Sequence, residues 1–264
     1  MKNIPDFNLR YSKEDTPILK AVEIDNHASF ILQEYSKSHP EYSFLNPQAT
    51  PIENIIELYC GISMDYQLFA EENILGMTSF SEGCINIIRD GKTVPYKVEK
   101  GTIIISSELE ADEKQEGRLN YTLAHELGHN VYHRRKFEEP DYSSQPSLFD
   151  EEPKEEFAIT CHRDNIENPD NTQGRDWVEW QADYFASCFL MPKEAVTEFW
   201  KNYRKEPEFV FGEEPEPYLA EMPYNEFKTE FLRFVNTFKV SKKAAKIRLI
   251  KLNYITGGKA YDCL

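Results

Sequence analysis

The sequence has no run of eighteen consecutive apolar residues, so no membrane-spanning helix is predicted. It has no CxxC pair. Its five cysteines (Cys60, Cys84, Cys161, Cys188 and Cys263) are odd in number and widely scattered, which argues against a disulfide framework and for reduced thiols. Basic residues are in deficit: 30 Lys and Arg against 46 Asp and Glu leave a net charge of −16. That balance excludes the basic field of a dedicated nucleic-acid binder and repels polyanionic substrates at long range. The first fifteen residues, MKNIPDFNLRYSKED, carry charges throughout and lack the apolar core of a signal peptide. No targeting segment is expected, and a cytoplasmic location is. Internal repeats are absent as well.

What is present suffices for a globular protein. A chain of 264 residues and 30.9 kDa is long enough for one large domain or two small ones. At this size about 70–75% of the unfolded surface is buried on folding, so no disulfide staple is required. The negative charge is segregated. Residues 137–170 hold eleven acids against Lys154 and Arg163, and residues 206–230 hold eight Glu against Lys228. The last stretch, 231–264, holds eight Lys or Arg against Asp262 alone. Both acidic stretches read as solvated insertions.

Local patterns place the elements. Asp15-Thr16-Pro17 offers a cap and a first-turn proline for a helix reaching about Tyr35, with Ile18, Leu19, Val22, Ala28, Ile31 and Tyr35 on its apolar face. Pro47 to Tyr59 predicts a second helix, through Ile52, Ile55, Ile56 and Tyr59, closed by Gly61. Short β-rich runs follow from Ile62 to Ser106. They include a hairpin turn at Asp90-Gly91 and a buried strand in Gly101–Ser106. Helices are predicted over Gly117 to about Tyr132, over Trp177 to Met191 before Pro192, over Phe227–Phe238, and from a Ser241 cap to about Leu252.

The chemistry concentrates in His125-Glu126-Leu127-Gly128-His129, an HExxH pattern. Helical residues four apart differ by about 40° in direction, so both imidazoles project from one face and can grip one metal ion. Glu126 between them is placed to take a proton from a water at that metal. Two histidines need a further protein ligand. Glu179 and Asp183, four apart on the next predicted helix, offer an oxygen donor and a carboxylate able to orient a ligand histidine. Trp177, Trp180, Phe185 and Phe189 suggest burial around them. The blander reading makes both carboxylates the polar edge of a core helix.

Three elements in order, Thr122-Leu-Ala-His-Glu-Leu-Gly-His129, Glu179-Trp-Gln-Ala-Asp-Tyr-Phe-Ala186 and Leu190-Met-Pro192, resemble the ImmA/IrrE family of metallopeptidases. The likeness extends over roughly 47–252, including Phe238–Ala245 with Arg248-Leu249, and the acidic stretches depart from it in length. It implies an α+β fold: a mainly helical zincin-like metallopeptidase domain, a small β-sheet on its N-terminal side and a C-terminal helical element. The corresponding division is an N-terminal helical extension at 1–46, a peptidase domain at 47–200 with the insertion 137–170, and an acidic linker with the helical element at 201–264.

The resemblance further implies that His125, His129 and Glu179 bind Zn2+, with Mn2+ or Fe2+ able to fill such a donor set. Glu126 is then general base and later proton donor, and Tyr121 or Tyr184 is the oxyanion donor. The implied partner is a protein substrate, a helix-turn-helix transcriptional repressor, with no membrane. The alternative is a metal-containing regulator that binds a transcription factor or antitoxin-like partner without turnover.

Three lesser features complete the reading. His133 continues the histidine row but lies about 80° and two turns from His125, which favours a place beside the site over a ligand role. Cys161 falls in the connection between the two site helices. A loop cysteine packed against the core is expected there, with a thiolate cap on the metal as the sharper alternative. Lys242, Lys243, Lys246, Arg248 and Lys251 make the last helix basic, yet Ile247, Leu249 and Leu252 require a core. A structural helix pair, or a docking face for an acidic partner, is favoured over direct nucleic-acid binding.

Overall fold

The computed structural model describes residues 3–137, 158–162, 177–203 and 224–255. Most of both acidic stretches therefore lies outside the described residues. The fold is α+β, mainly helical with a small mixed sheet and C-terminal helices, as expected from the sequence. Two compact units divide the chain, Met1–Ile24 with Ile52–Ala186, and Asp25–Pro51 with Ser187–Leu264.

The first unit is built on a four-stranded sheet in the order β1-β5-β2-β6. Its strands are β1 (Met64–Gln67), β2 (Ile74–Ser79), β5 (Ile103–Ser106) and β6 (Ala158–His162). Strand β5 is buried along its whole length, which is why Gly101–Ser106 reads as a continuous apolar run. It pairs parallel with β1 and antiparallel with β2. A separate hairpin joins β3 (Gly83–Arg89) to β4 (Lys92–Val98). Its turn residues Asp90 and Gly91 both have positive φ, 53° and 71°, as a two-residue hairpin loop demands.

Helix α1 (Ala21–Ser38) begins later than the sequence predicts. Asp15 takes a left-handed φ of 54° and reverses the chain, so Tyr11 pairs with Pro17 in an isolated bridge and Asp15-Thr16-Pro17 forms a turn rather than a cap. The helix start is secured instead by Glu23, whose carboxylate accepts from the Lys20 amide at 2.7 Å. Ile18 and Val22 are consequently exposed, and the buried stripe is Ile24, Ala28, Ile31, Leu32 and Tyr35. The second predicted helix is shorter too. Thr50 precedes Pro51, which disfavours helix before it. The element is α2 (Ile52–Asn54) followed by a π turn over Ile55–Tyr59, closed by Gly61 at φ 62°.

Four helices complete the first unit: α3 (Ser107–Glu110), α4 (Glu116–Tyr132), α5 (Arg134–Phe137) and the first part of α6 (Trp177–Leu190). The second unit receives the end of α6, then α7 (Lys193–Trp200), α8 (Tyr224–Phe238) and α9 (Lys242–Lys251). Its core is aromatic: Trp200 lies 5.0–6.0 Å, centroid to centroid, from Phe199, Phe227 and Phe234. The Ser241 hydroxyl accepts from the Ala244 amide at 3.1 Å and caps α9 as predicted. Arg248 is fully buried rather than presented to a partner. Its guanidinium reaches Asp25 Oδ1 at 2.6 Å, the Met191 carbonyl at 3.0 Å and Cys188 Sγ at 3.3 Å. The buried face of α9 is Ala244, Ala245, Arg248 and Leu249, so Arg248 is a structural residue.

Candidate metal centre

Helix α4 is buried from Thr122 to Asn130 and again at Tyr132, although that span contains His125, Glu126, His129 and Asn130. So much polarity in a buried helix requires partners. The close approach of α6 provides them. A Cβ at Gly128 would lie 3.1 Å from Ala182 Cα and 3.2 Å from a Phe185 ring carbon, so the absence of a side chain lets the two helices touch there. Glu179 and Asp183, one turn apart on α6, thereby meet the histidines.

One nitrogen each from His125 and His129, with a Glu179 carboxylate oxygen, lie within 4.8 Å of one another. His125 Nε2 is 2.9 Å from His129 Nε2 and 3.3 Å from Glu179 Oε2, and His129 Nε2 is 3.4 Å from Glu179 Oε1. The side chains of Glu179 and Asp183 are each 19% exposed, so the cluster opens on that side. Phe185 and Phe189 are buried as expected, but Trp177 is 57% exposed and does not enclose the carboxylates.

The outer hydrogen bonds define which nitrogen carries each proton. His125 Nδ1 lies 2.9 Å from Asp183 Oδ1, a carboxylate that can only accept, so Nδ1 donates and Nε2 keeps its lone pair. The Tyr121 hydroxyl donates to the Asp183 carbonyl at 3.1 Å, with Oδ1 of the same residue at 3.4 Å. Tyr121, one of the two oxyanion donors considered above, is thus engaged in holding Asp183.

On the other side a longer chain starts from a residue that cannot donate. The Pro17 carbonyl accepts from Gln181 Nε2 at 2.7 Å, which turns Gln181 Oε1 toward His133 Nε2 at 3.0 Å. His133 must then carry its proton on Nε2 and accept at Nδ1, 3.0 Å from His129 Nδ1. His129 therefore donates from Nδ1 and also keeps its Nε2 lone pair. Burial holds both imidazoles neutral. It lowers His133 to about 3 despite the Gln181 hydrogen bond, and lowers His129 well below its usual value, helped by the neighbouring His125 and His133. His133 stands beside the site as a partner of His129, as its position on the helix suggests.

The two Nε2 atoms, 2.9 Å apart and flanked by a carboxylate, need a shared proton or a metal cation between them. Burial alone would depress His125. Cys161, Asp183 and Glu179 outweigh it and raise its pKa well above the usual histidine range, so the cluster attracts positive charge. The donor set fits a divalent metal with two imidazoles, one carboxylate and one open position.

Glu126 faces the sheet. Its Oε2 accepts from the Thr78 hydroxyl on β2 at 2.7 Å, and its backbone carbonyl accepts from Asn130 Nδ2 at 3.2 Å. Oε1 is buried with no hydrogen-bond partner among the described residues. Burial pushes this carboxyl up to about 8, while His125 and Thr78 pull against that shift and Glu179 adds to it. Gly76 makes the room: a Cβ there would sit 2.7 Å from Thr122 Cγ2 and 3.0 Å from Glu126 Oε1.

Cys161 is not in a loop. It lies in β6, opposite Gly76 on β2, where the register shifts between Ile74 and Gly76. Such bulges re-aim side chains, and the thiol is fully buried against His125 and Glu126. Burial pushes the thiol up to about 11, with His125 lowering it. Sequence reasoning missed Gly76, Thr78, Gln181 and Pro17. None carries a local signal, because each acquires its role through a contact distant in the chain.

Residues 155–250 match the family model described as the IrrE N-terminal-like domain, Peptidase_M78. That span carries Glu179, Asp183 and helix α9, while His125 to His129 precede it. No curated protein matches the chain. The matched span supplies the carboxylates that meet the HExxH histidines, and the match supports an ImmA/IrrE family metallopeptidase.

Proposed function

We propose that the chain is an intracellular, cytoplasmic zinc-dependent endopeptidase that hydrolyses a peptide bond in a regulatory protein, a helix-turn-helix repressor. His125, His129 and Glu179 hold the metal, and Glu126 is general base and then proton donor. In this reading 47–200 is the peptidase domain, between the extension 1–46 and the element 201–264. The observation that carries it is the convergence of two Nε2 lone pairs and the Glu179 carboxylate beside the one unpartnered oxygen of a buried glutamate.

When bound, the metal supplies Lewis acidity and brings the pKa of water toward about 7. The rest of the chemistry belongs to the chain. Thr78 fixes one oxygen of Glu126 and leaves the other free to accept a proton. Burial, by raising this carboxyl, lets it keep the proton it takes and return it to a departing amine. Asp183 and the His133–Gln181–Pro17 chain keep the ligand histidines in the metal-binding tautomer. Among the described residues no helix is long and apolar enough to cross a membrane.

The test is Glu126→Gln in the full chain co-expressed with a helix-turn-helix protein encoded beside it. Metal content should persist while cleavage disappears. Regulation that survives this substitution intact would instead support the non-catalytic regulator.

A further inference from the structure

Cys161 brings a sulfur against His125, one of the three expected metal ligands, and against Glu126. Its thiol, a nitrogen of His125 and an oxygen of Glu126 lie within 4.8 Å of one another, and His125 also belongs to the His125, His129 and Glu179 group. The thiol therefore occupies the corner between a ligand histidine and the expected base. A second observation marks the same corner: Glu126 Oε1 is buried there without a partner, over the Gly76–Cys161 pair. Among the described residues the strand that carries the thiol is an edge strand, pairing in the sheet with β2. It is also drawn from the segment joining the two site helices.

We propose that Cys161 is the fourth, resting-state ligand of the metal, closing the site until β6 withdraws the sulfur. This rests on the metal reading given under Proposed function. Charge supports it: one thiolate and one carboxylate neutralise a divalent ion, leaving a buried centre without net charge. On ligation the S–H bond breaks, the sulfur keeps the electron pair and donates it to the ion, and the proton passes to Glu126 and on to solvent. No oxidant or reductant is needed. A His, His, Glu, Cys set is closed like a structural site, and loss of the sulfur restores the open position of a catalytic one.

The full chain loaded with Co2+ separates this inference from the metal reading beneath it. Visible ligand-field bands report occupancy of the site, and a near-ultraviolet sulfur-to-cobalt charge-transfer band reports the thiolate. The wild-type chain should show both. Cys161→Ser and Cys161→Ala should lose the charge-transfer band and keep shifted visible bands, whereas His129→Ala should lose both. Visible bands without charge transfer in the wild type would overturn the inference and leave the metal reading standing. A charge-transfer band that survives Cys161→Ser would assign the sulfur to another cysteine and overturn it equally. Absence of visible bands in the wild type would remove the metal reading, and the inference with it. Zinc-edge X-ray absorption on the unmutated protein needs no folded variant. One sulfur at about 2.3 Å beside nitrogen and oxygen at about 2.0 Å is expected, and a shell of nitrogen and oxygen alone would refute it.

Discussion

In one compact unit the helix at the centre buries His125, Glu126, His129 and Asn130, whose polar atoms, apart from Glu126 Oε1 and Asn130 Oδ1, find partners. In the other the centre is Trp200 among phenylalanines, and the ion buried within it, Arg248, is matched by Asp25 and a backbone carbonyl. The aromatic unit draws its stability from area removed from water, which tolerates small shifts in position. The polar unit draws its order from directed hydrogen bonds, where a small displacement changes the chemistry before it changes the fold. Substitutions should therefore separate into two classes, one read by unfolding and the other by metal affinity.

The strongest probe of that division is Trp200→Ala. It should cost about 3–5 kcal/mol in denaturant unfolding while metal stoichiometry stays unchanged. A parallel loss of metal would break the comparison. Gly76→Ala should come next, at about 1–3 kcal/mol, because the new methyl meets Thr122, Glu126 and Ile105 within 3.2 Å. Unlike the tryptophan variant it should also reduce cleavage, since the displaced group is Glu126. Gln181→Leu should weaken metal binding about 10–100-fold in a chelator competition, by freeing His133 and hence His129. Gln181→Glu, which keeps an acceptor for His133 but loses the donor to Pro17, should fall between that variant and the wild type. The smallest effect belongs to Ser241→Ala, which removes the α9 cap at a cost of about 1 kcal/mol and should leave metal affinity untouched.

The candidate metal ligands were legible in the sequence because their geometry is local. His125 and His129 share a face through helical spacing alone, and so do Glu179 and Asp183. The hairpin at Asp90-Gly91 and the α9 cap were legible for the same reason. What escaped depends on pairing across the chain. Gly76 has meaning only once β2 lies under α4, and Pro17 acts on Gln181 from 164 positions away. Cys161 belongs to a strand because β2 offers it an edge, and its short run, flanked by acidic stretches, reads in the sequence as part of a connection. The first helix erred in phase for a related reason. Asp15-Thr16-Pro17 has cap composition, but a left-handed Asp15 uses it to turn the chain.

The hydrogen-bonded chain that ends on Pro17 runs in one direction only. A proline carbonyl has no proton to give and the amide of Gln181 does not ionise, so the string from His129 through His133 and Gln181 is insulated at its far end. It can fix a tautomer and cannot carry charge away. Its service to the site is therefore one of orientation: it holds His129 Nε2 toward Glu179, and proton movement at Glu126 does not run through it.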